Sequence, residues 1–385
     1  MSKSSTELLG NYITEYSVKN KNGADIPVYS VSNDKGFCRD YFSKDVSSKD
    51  KTSYKIVPRG CFAYNPSRIN VGSIAWQDKE DAVIVSPLYV VFSTEGLNND
   101  FLMYYLKSNA LMSYIKIYSA GAVRNNLRFK TLSSFPVKVP SLEQQARIVA
   151  ELDCLTGIIE KKKQQLEELD KLAQSIFYEM FGDPITNEKG WKVKKLGDLC
   201  EVITKGTTPS SLGFSFVEEG INFLKVESFN SDETLNEAKI FHITKECDAA
   251  LRRSRLEAND ILMCIAGATC GRLAIVPSSV IPANTNQAFG IIRLKDKEQS
   301  FHRYIYSFLH SSFIRESVND LMKGVAQPNL TLAHLRGFSI LLPPTALQNE
   351  FAQKIEGIEK QKELVKRSIV ETETLFNSRM DFWFN

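Results

Sequence analysis

The stretch FPVKVPSLEQQARI at residues 135–148 returns in a second copy, FSILLPPTALQNEF, at residues 338–351. Each copy has a phenylalanine, an apolar strand-like run, a proline, a hydroxyl residue and a glutamine three positions further on. Pro140-Ser141-x-x-Gln144 is thereby matched by Pro344-Thr345-x-x-Gln348. A Ser or Thr followed by Gln at this spacing is typical of a capping box at a helix start. The chain is therefore predicted to build one strand-to-helix junction twice.

Weaker correspondences continue upstream of both junctions. They are too far apart in the chain for a solenoid repeat, so they predict a duplicated domain. The matched pairs are Leu9-Gly10 with Leu196-Gly197, Gly72 with Gly271, Gly121 with Gly324, Asn126-Leu127 with Asn329-Leu330, and Leu132 and Phe135 with Leu335 and Phe338.

A heptad pattern follows each junction and predicts a long helix in each half of the chain. The first pattern ends at Gly182 and Pro184, which are typical helix stop signals. Roughly 40 residues at about 1.5 Å each would make a helix about 60 Å long. The predicted coiled-coil interface comprises Ile148, Leu152, Leu155, Ile159, Leu166, Leu169, Ile176, Phe351, Ile355, Ile358, Val365 and Ile369.

Neither helix can bury its apolar stripe alone, because charged residues flank both stripes. Packing of the two helices on each other, antiparallel, is the favoured solution, and two coils that each dimerise with another chain are the alternative. The predicted fold class is α+β: two similar α+β domains separated by an antiparallel coiled coil, with approximate two-fold symmetry. The predicted segments are 1–140, 141–183 for the first helix, 184–343, and 344–385 for the second.

Composition indicates an ordinary globular protein of two or three domains. The chain has 385 residues, 43% of them hydrophobic and 24% charged. No signal peptide or membrane-spanning window is evident, and seven cysteines without a C-x-x-C pair indicate reduced thiols, so a cytoplasmic location is expected. Net charge alternates along the four predicted segments as +6, −4, +2 and −1. The two basic globular segments are compatible with a polyanion partner.

Motifs for catalysis or metal binding are absent from the sequence. Neither H-E-x-x-H nor G-x-x-x-x-G-K-[ST] occurs, and the four histidines all lie in the second half. Both globular segments instead carry cations and amides suited to DNA phosphates and base edges. The predicted DNA-contacting residues are Arg59, Arg68, Lys116, Arg124, Asn126, Arg128, Lys205, Thr207, Arg272, Asn286, Gln327 and Asn329. The same clusters also contain Asn125, Lys130, Thr208, Arg252, Arg253, Arg255, Asn284 and Gln287.

The whole chain resembles the specificity subunit of type I restriction–modification systems. The resemblance is carried by the paired P-[ST]-x-x-Q junctions and by the helix end LAQSIFYEMFGDP at residues 172–184. Trp191, the turn KGTTP at residues 205–209 and the motif Gly267-Ala268-x-x-Gly271 add to it.

This resemblance implies a non-catalytic DNA reader whose two domains each recognise half of a bipartite double-stranded target. It also implies that the helices set the spacer and dock two methyltransferase subunits, joined by restriction subunits. S-adenosylmethionine, ATP and magnesium are expected on those partners, with no cofactor or metal on this chain. Two alternatives stay open: a coiled-coil adaptor whose duplicated domains bind proteins, and a stand-alone enzyme with an unrecognised site.

Overall fold

The computed structural model describes residues 6–39, 50–120, 126–230, 232–323 and 329–385. The chain divides into two compact units. Unit 1 comprises Met1–Gln164 and Lys366–Asn385, and unit 2 comprises Gln165–Val365. Each long helix therefore contributes one part to unit 1 and the other part to unit 2.

In the first half of the chain, short strands come first, helices follow, and one more strand leads into a long helix. Its strands are β1 Thr6–Leu8, β2 Ile13–Glu15, β3 Ser30–Ser32, β4 Gly36–Cys38, β5 Lys55–Pro58, β6 Phe62–Tyr64, β7 Ile74–Trp76, β8 Ala82–Val85, β9 Val90–Thr94 and β10 Pro136–Lys138. Its helices are α1 Asn99–Lys107, α2 Asn109–Ala120, α3 Phe129–Ser133 and the long α4 Leu142–Phe181.

The second half repeats this order, with two short helices among its strands. Its strands are β11 Lys192–Lys195, β12 Cys200–Lys205, β13 Ile221–Leu224, β14 Phe241–Ile243, β15 Arg255–Leu256, β16 Ile261–Cys264, β17 Leu273–Ile275, β18 Ala283–Thr285, β19 Phe289–Leu294 and β20 Ser339–Leu342. Its helices are α5 Leu196–Leu199, α6 Lys245–Ala250, α7 Gln299–Leu309, α8 Ser312–Met322, α9 Leu332–Gly337 and the long α10 Thr345–Phe384.

A four-stranded antiparallel sheet with the same topology occurs in both units, and we call it the central sheet. Its strand order is β2-β9-β6-β7 in unit 1 and β12-β19-β16-β17 in unit 2. In each unit the opening strand also pairs with the strand before the long helix, β1 with β10 and β11 with β20. Unit 2 has a second four-stranded sheet, β14-β13-β18-β15, in which β13 and β18 are parallel, whereas unit 1 has the two-stranded sheets β3-β4 and β5-β8. The predicted α+β class and the duplication are confirmed.

The two long helices are antiparallel to each other in both units. In unit 1 the beginning of α4 contacts the end of α10, where Arg379 pairs with Glu151. In unit 2 the end of α4 contacts the beginning of α10, where Phe177 and Phe181 pack on Phe351. The predicted long helices are thus confirmed, and each helix buries part of its stripe in each unit.

Burial along the predicted seam is uneven. Four predicted seam residues are half-buried, namely Leu155, Leu166, Ile176 and Val365. Lys162, which interrupts the stripe of α4, donates to the Ser368 hydroxyl and lies 3.3 Å from the Thr372 hydroxyl. A polar pairing therefore replaces an apolar layer there. Buried seam residues are Ile148, Leu152, Ile159, Leu169, Phe351, Ile355, Ile358 and Ile369.

The structural match between the two junctions is shifted by one residue from the match predicted from the sequence. The buried Gln145 donates to the Pro140 carbonyl at 2.9 Å, and the buried Gln348 donates to the Pro343 carbonyl at 2.8 Å. The equivalent of Pro140 is therefore Pro343, not Pro344. Ser141 accepts the Gln144 N–H at 3.3 Å as a helix cap, but Thr345 is already the first residue of α10. A buried amide must satisfy its donors, so Gln145 and Gln348 fix the junction geometry.

None of the helices in the described ranges has a stretch long and apolar enough to cross a membrane.

Candidate nucleic-acid interface

One end of the central sheet in unit 2 gathers most of the predicted DNA-contacting residues of that unit. Lys205, the last residue of β12, pairs with Gly290 near the start of β19. Cys264, the last residue of β16, pairs with Phe289. Because neighbouring antiparallel strands run in opposite directions, the segments after β12 and β16 and before β19 and β17 emerge together. We call this the loop end; in unit 2 it comprises residues 205–208, 265–272, 286–288 and 329–330.

The turn after β12 is packed directly on the turn before β19. Thr207 donates its backbone N–H to Thr285 O at 3.1 Å, and Gly206 donates to Phe289 O at 3.3 Å. A Cβ atom at Gly206 would lie 2.0 Å from the carbonyl oxygen of Asn286. Only glycine permits this approach of two backbones. The exposed Lys205 and the half-buried Thr207 and Asn286 are therefore held in one rigid group.

The exposed Asn329 lies against the loop that follows β16. It forms an antiparallel bridge with Ala266, and Leu330 donates its backbone N–H to Ile265 O at 2.8 Å. Gly267 and Gly271 in this loop have φ of +86° and +88°, in the left-handed region that favours glycine. The glycines thus allow a sharp turn at the loop end.

Unit 1 builds its loop end from the equivalent segments, residues 65–68 and 126–128. Leu127 donates its backbone N–H to Pro66 O at 3.1 Å, and the Ser67 hydroxyl donates to Asn126 Oδ1. These contacts bring the exposed Arg68, Asn126 and Arg128 to one end of the sheet. Lys116 is exposed on α2, which packs on the turn at Ile69–Val71.

Arg59 is not part of this group. It precedes β6, whereas Arg68 follows it, so the two arginines lie at opposite ends of the strand. Arg59 lines a cleft with Trp76 and Asp100, and its guanidinium lies 3.8 Å from Asp81. Its sequence context, an arginine at a turn, was the same as that of Arg68 and could not distinguish the two ends.

Asn284 and Arg272 already have hydrogen-bond partners within unit 2. Asn284 is fully buried, accepts from the Ser254 hydroxyl at 2.6 Å and donates to Asp248 at 3.0 Å, so its amide is already satisfied. Arg272 is half-buried and donates to Phe229 O at 3.2 Å. Arg124 and Gln327 lie outside the described residues.

The loop that receives the Arg272 hydrogen bond is also held by Tyr306 of α7 and by His310, which directly follows α7. Glu233 of this loop accepts from the Tyr306 hydroxyl, and its Oε1 lies 3.0 Å from His310 Nε2. Glu233 has a backbone φ of +67°, which residues other than glycine rarely adopt. The contacts with Tyr306 and His310 stabilise this conformation. The hydrogen bond to Glu233 raises the pKa of His310 above 6.5. Burial favours a higher pKa for Glu233, but His310 and Tyr306 together hold it below 4.5.

We expect the contribution of His310 to the stability of unit 2 to grow as pH falls from 8 to 6. A raised folded-state pKa means that this contribution is complete below the unfolded value of about 6.5 and is lost as pH rises through the folded pKa. Glu233 contributes above its unfolded pKa and loses its contribution only as pH falls through its lowered folded pKa. Arg272 and Arg315 also face this cluster. Arginine side chains do not lose their proton in proteins, so they add no pH dependence of their own.

The measurement is the difference in unfolding free energy between the unchanged chain and His310→Gln, at pH 6 and at pH 8. His302, whose pKa is lowered by burial, has the opposite pH dependence, but it is present in both proteins and cancels in the difference. An equal difference at the two pH values would show that the ion pair contributes nothing.

The sequence did not single out two residues that the structure makes prominent. The Thr208 hydroxyl donates to Oε1 of the exposed Gln287, and Arg253 donates to the Thr207 hydroxyl at 3.3 Å. Gln287 and Arg253 were only part of a larger group of amides and cations. Their contacts join segments far apart in the chain, so no local pattern could have selected them.

Comparison with known proteins identifies the class to which this fold and site belong. The model of the type I restriction modification DNA specificity domain matches residues 7–171 and again residues 188–374. The chain therefore belongs to this family and carries two copies of its domain. Both matched segments include a loop end and most of a long helix. Membership favours the DNA-specificity interpretation over the coiled-coil adaptor.

Individual relatives agree with this assignment. The type I restriction enzyme MjaIX specificity subunit of Methanocaldococcus jannaschii is 24% identical over 377 residues, which cover 91% of this chain and 84% of the relative. The type I restriction enzyme EcoBI specificity subunit of Escherichia coli is 23% identical, over 67% of this chain and 58% of its own length.

Two solved structures share the fold. One is a chain from work on complex assembly and conformational transition of the type I R-M system, with a TM-score of 0.61 and 18% identity over 99% of this chain and 97% of that chain. The other is the type I restriction-modification S subunit of M. genitalium, with a TM-score of 0.51 and 12% identity over 99% and 96%.

Proposed function

We propose that this chain is the DNA sequence-recognition subunit of a type I restriction–modification complex and has no active site of its own. Unit 1 and unit 2 each read one half of a bipartite target through their loop ends. The observation that carries the proposal is the duplicated loop end, where exposed cations and amides stand on the same end of the same sheet in both units. Cations suit phosphates, and amides suit base edges.

The long helices set the spacer between the half-sites and dock two methyltransferase subunits. Their outward faces support a docking role, because several large apolar side chains there are exposed. Restriction subunits join this core in the cytoplasm, and S-adenosylmethionine, ATP and magnesium are bound by the partner subunits. The exposed apolar residues are Ile158, Leu172, Leu364, Val370 and Leu375.

Changes at one loop end are expected to alter only one half-site. Arg128→Ala should affect the half-site of unit 1, and Lys205→Ala the half-site of unit 2. A lost base contact should reduce discrimination at one position by about 1–3 kcal/mol, whereas a lost phosphate contact should weaken all sequences alike. The measurement is selection of DNA sites from a random pool by the assembled complex.

Arg59→Ala is the matched control, because it removes an exposed cation from the opposite end of the same sheet in unit 1. It should leave both half-sites unchanged. If Arg128→Ala altered both half-sites together, the two units would not be separate readers.

A further inference from the structure

The surroundings of the Gln287 side chain indicate which DNA base it can recognise. Its side chain is exposed at the loop end of unit 2, and its Oε1 accepts the hydroxyl hydrogen of Thr208. A glutamine amide has an acceptor oxygen with two lone pairs and a nitrogen with two donors. Thr208 occupies one lone pair, so the other lone pair and the Nε2 donors remain to face a ligand. Rotating the amide by 180° would replace this bond by one from Nε2 to the Thr208 hydroxyl oxygen, and the amide would still present one acceptor and one donor to a ligand.

The backbone beneath this pair is rigid. The turns that carry Thr208 and Gln287 are joined by the hydrogen bond from Thr207 N–H to Thr285 O, and by the close approach of Gly206 to Asn286. A second contact, from Ala288 N–H to Asn286 Oδ1 at 3.2 Å, closes the turn before β19. Little conformational freedom is therefore left to lose when a ligand binds, which favours specific recognition.

We propose that Gln287 is a specificity-determining residue that reads an adenine in the half-site of unit 2, and that Thr208 positions its amide. This inference rests on the proposed function. Adenine presents the N7 acceptor and the N6 donor in the major groove. Nε2 of Gln287 donates to N7, and Oε1 accepts from N6 with its remaining lone pair. Guanine presents two acceptors, N7 and O6, so when Nε2 donates to N7 the acceptor Oε1 would face the acceptor O6 with no hydrogen between them.

The experiment is selection of DNA sites by the assembled complex containing the unchanged chain, Gln287→Ala, Gln287→Glu or Thr208→Val. Gln287→Ala should reduce the preference for adenine at one position by about 5- to 150-fold, which corresponds to one bidentate contact of about 1–3 kcal/mol. Gln287→Glu should shift that position toward cytosine, because a carboxylate accepts from the cytosine N4 amino group. Thr208→Val keeps the side-chain shape and should cause a smaller loss of adenine preference at the same position.

Gln299→Ala is the control, because Gln299 is an exposed glutamine that begins α7 beyond the opposite end of β19. Its site profile should match that of the unchanged chain. If Gln287→Ala leaves every position of a bipartite target unchanged, or weakens all sequences equally, this inference is wrong while the proposed function stands. If the relaxed position is not adenine in the original target, the assignment of the base is wrong. If the unchanged complex selects no sequence at all, the proposed function fails as well.

Discussion

Alanine in place of Phe181 is expected to lower the free energy of unfolding of unit 2 by about 3–5 kcal/mol. Phe181 is the last residue of α4 and is only 1% exposed. The centroid of its ring lies 4.8 Å from that of Tyr304 and 5.1 Å from that of Phe351. Phe181 therefore joins both long helices to α7. Truncation removes these ring contacts and leaves a cavity that the surrounding α7 and α10 cannot fill without moving.

Trp191 offers a local probe for this measurement. Its indole N–H donates to the backbone oxygen of Phe181 at 2.8 Å, a bond that alanine at position 181 retains. The other two tryptophans, Trp76 and Trp383, belong to unit 1, so replacing both by phenylalanine leaves Trp191 as the single reporter of unit 2. Urea unfolding of this background with and without Phe181→Ala gives the change in stability.

Leu172→Ala is the matched control on the same helix. Leu172 is 47% exposed and also belongs to unit 2, so its truncation should change the stability by no more than about 0.5 kcal/mol. If Phe181→Ala and Leu172→Ala lowered the free energy of unfolding equally, the burial of Phe181 would not be what stabilises unit 2.

DNA affinity is expected to fall about 10³–10⁵-fold between 50 and 200 mM salt, as for a protein that neutralises about six to ten phosphates. We expect this salt dependence because exposed cations lie on the loop ends or close to them. Each cation that displaces a condensed counterion from a phosphate makes the affinity more sensitive to salt. The measurement is the Kd of the assembled complex for its target duplex over a salt series. The cations concerned are Arg68, Arg128, Lys205, Arg252 and Arg253.

Charge-neutralising variants connect the slope to particular residues. Arg128→Gln and Arg253→Gln should each reduce the log–log slope by about one if the arginine contacts a phosphate. Arg59→Gln, at the other end of its sheet, should leave the slope unchanged. A slope near zero for the unchanged complex would contradict the assignment of DNA as the partner.

The loop end of unit 2 depends both on a local residue type, glycine, and on contacts between segments far apart in the chain. The sequence places Gly206 only in a polar turn, whereas in the structure its lack of a Cβ atom allows the turn after β12 to meet the turn before β19. Thr208 and Gln287 meet for the same reason, although 79 residues separate them in the chain. We therefore expect the proposed recognition by unit 2 to depend on Gly206 through the backbone geometry that it permits.

The sequence by itself determined the duplication, the two long helices and the α+β class. Each of these follows from a periodic or local signal: a repeated junction, a heptad stripe, and glycine and proline at the end of a helix. Such signals depend on neighbouring residues, whose geometry the backbone fixes. The same local patterns also selected the cations and amides that suit DNA, but they could not rank them.

Only the tertiary structure decided which of those residues stand together. Arg59 and Arg68 have similar local contexts, but strand β6 separates them to opposite ends of a sheet. Asn284 resembles Asn286 in sequence, but its side chain is buried and its hydrogen bonds are satisfied within the protein. The one-residue shift between Pro140 and Pro343 likewise appeared only through the buried hydrogen bonds of Gln145 and Gln348. Burial and long-range pairing are properties of the packed chain, and no local pattern encodes them.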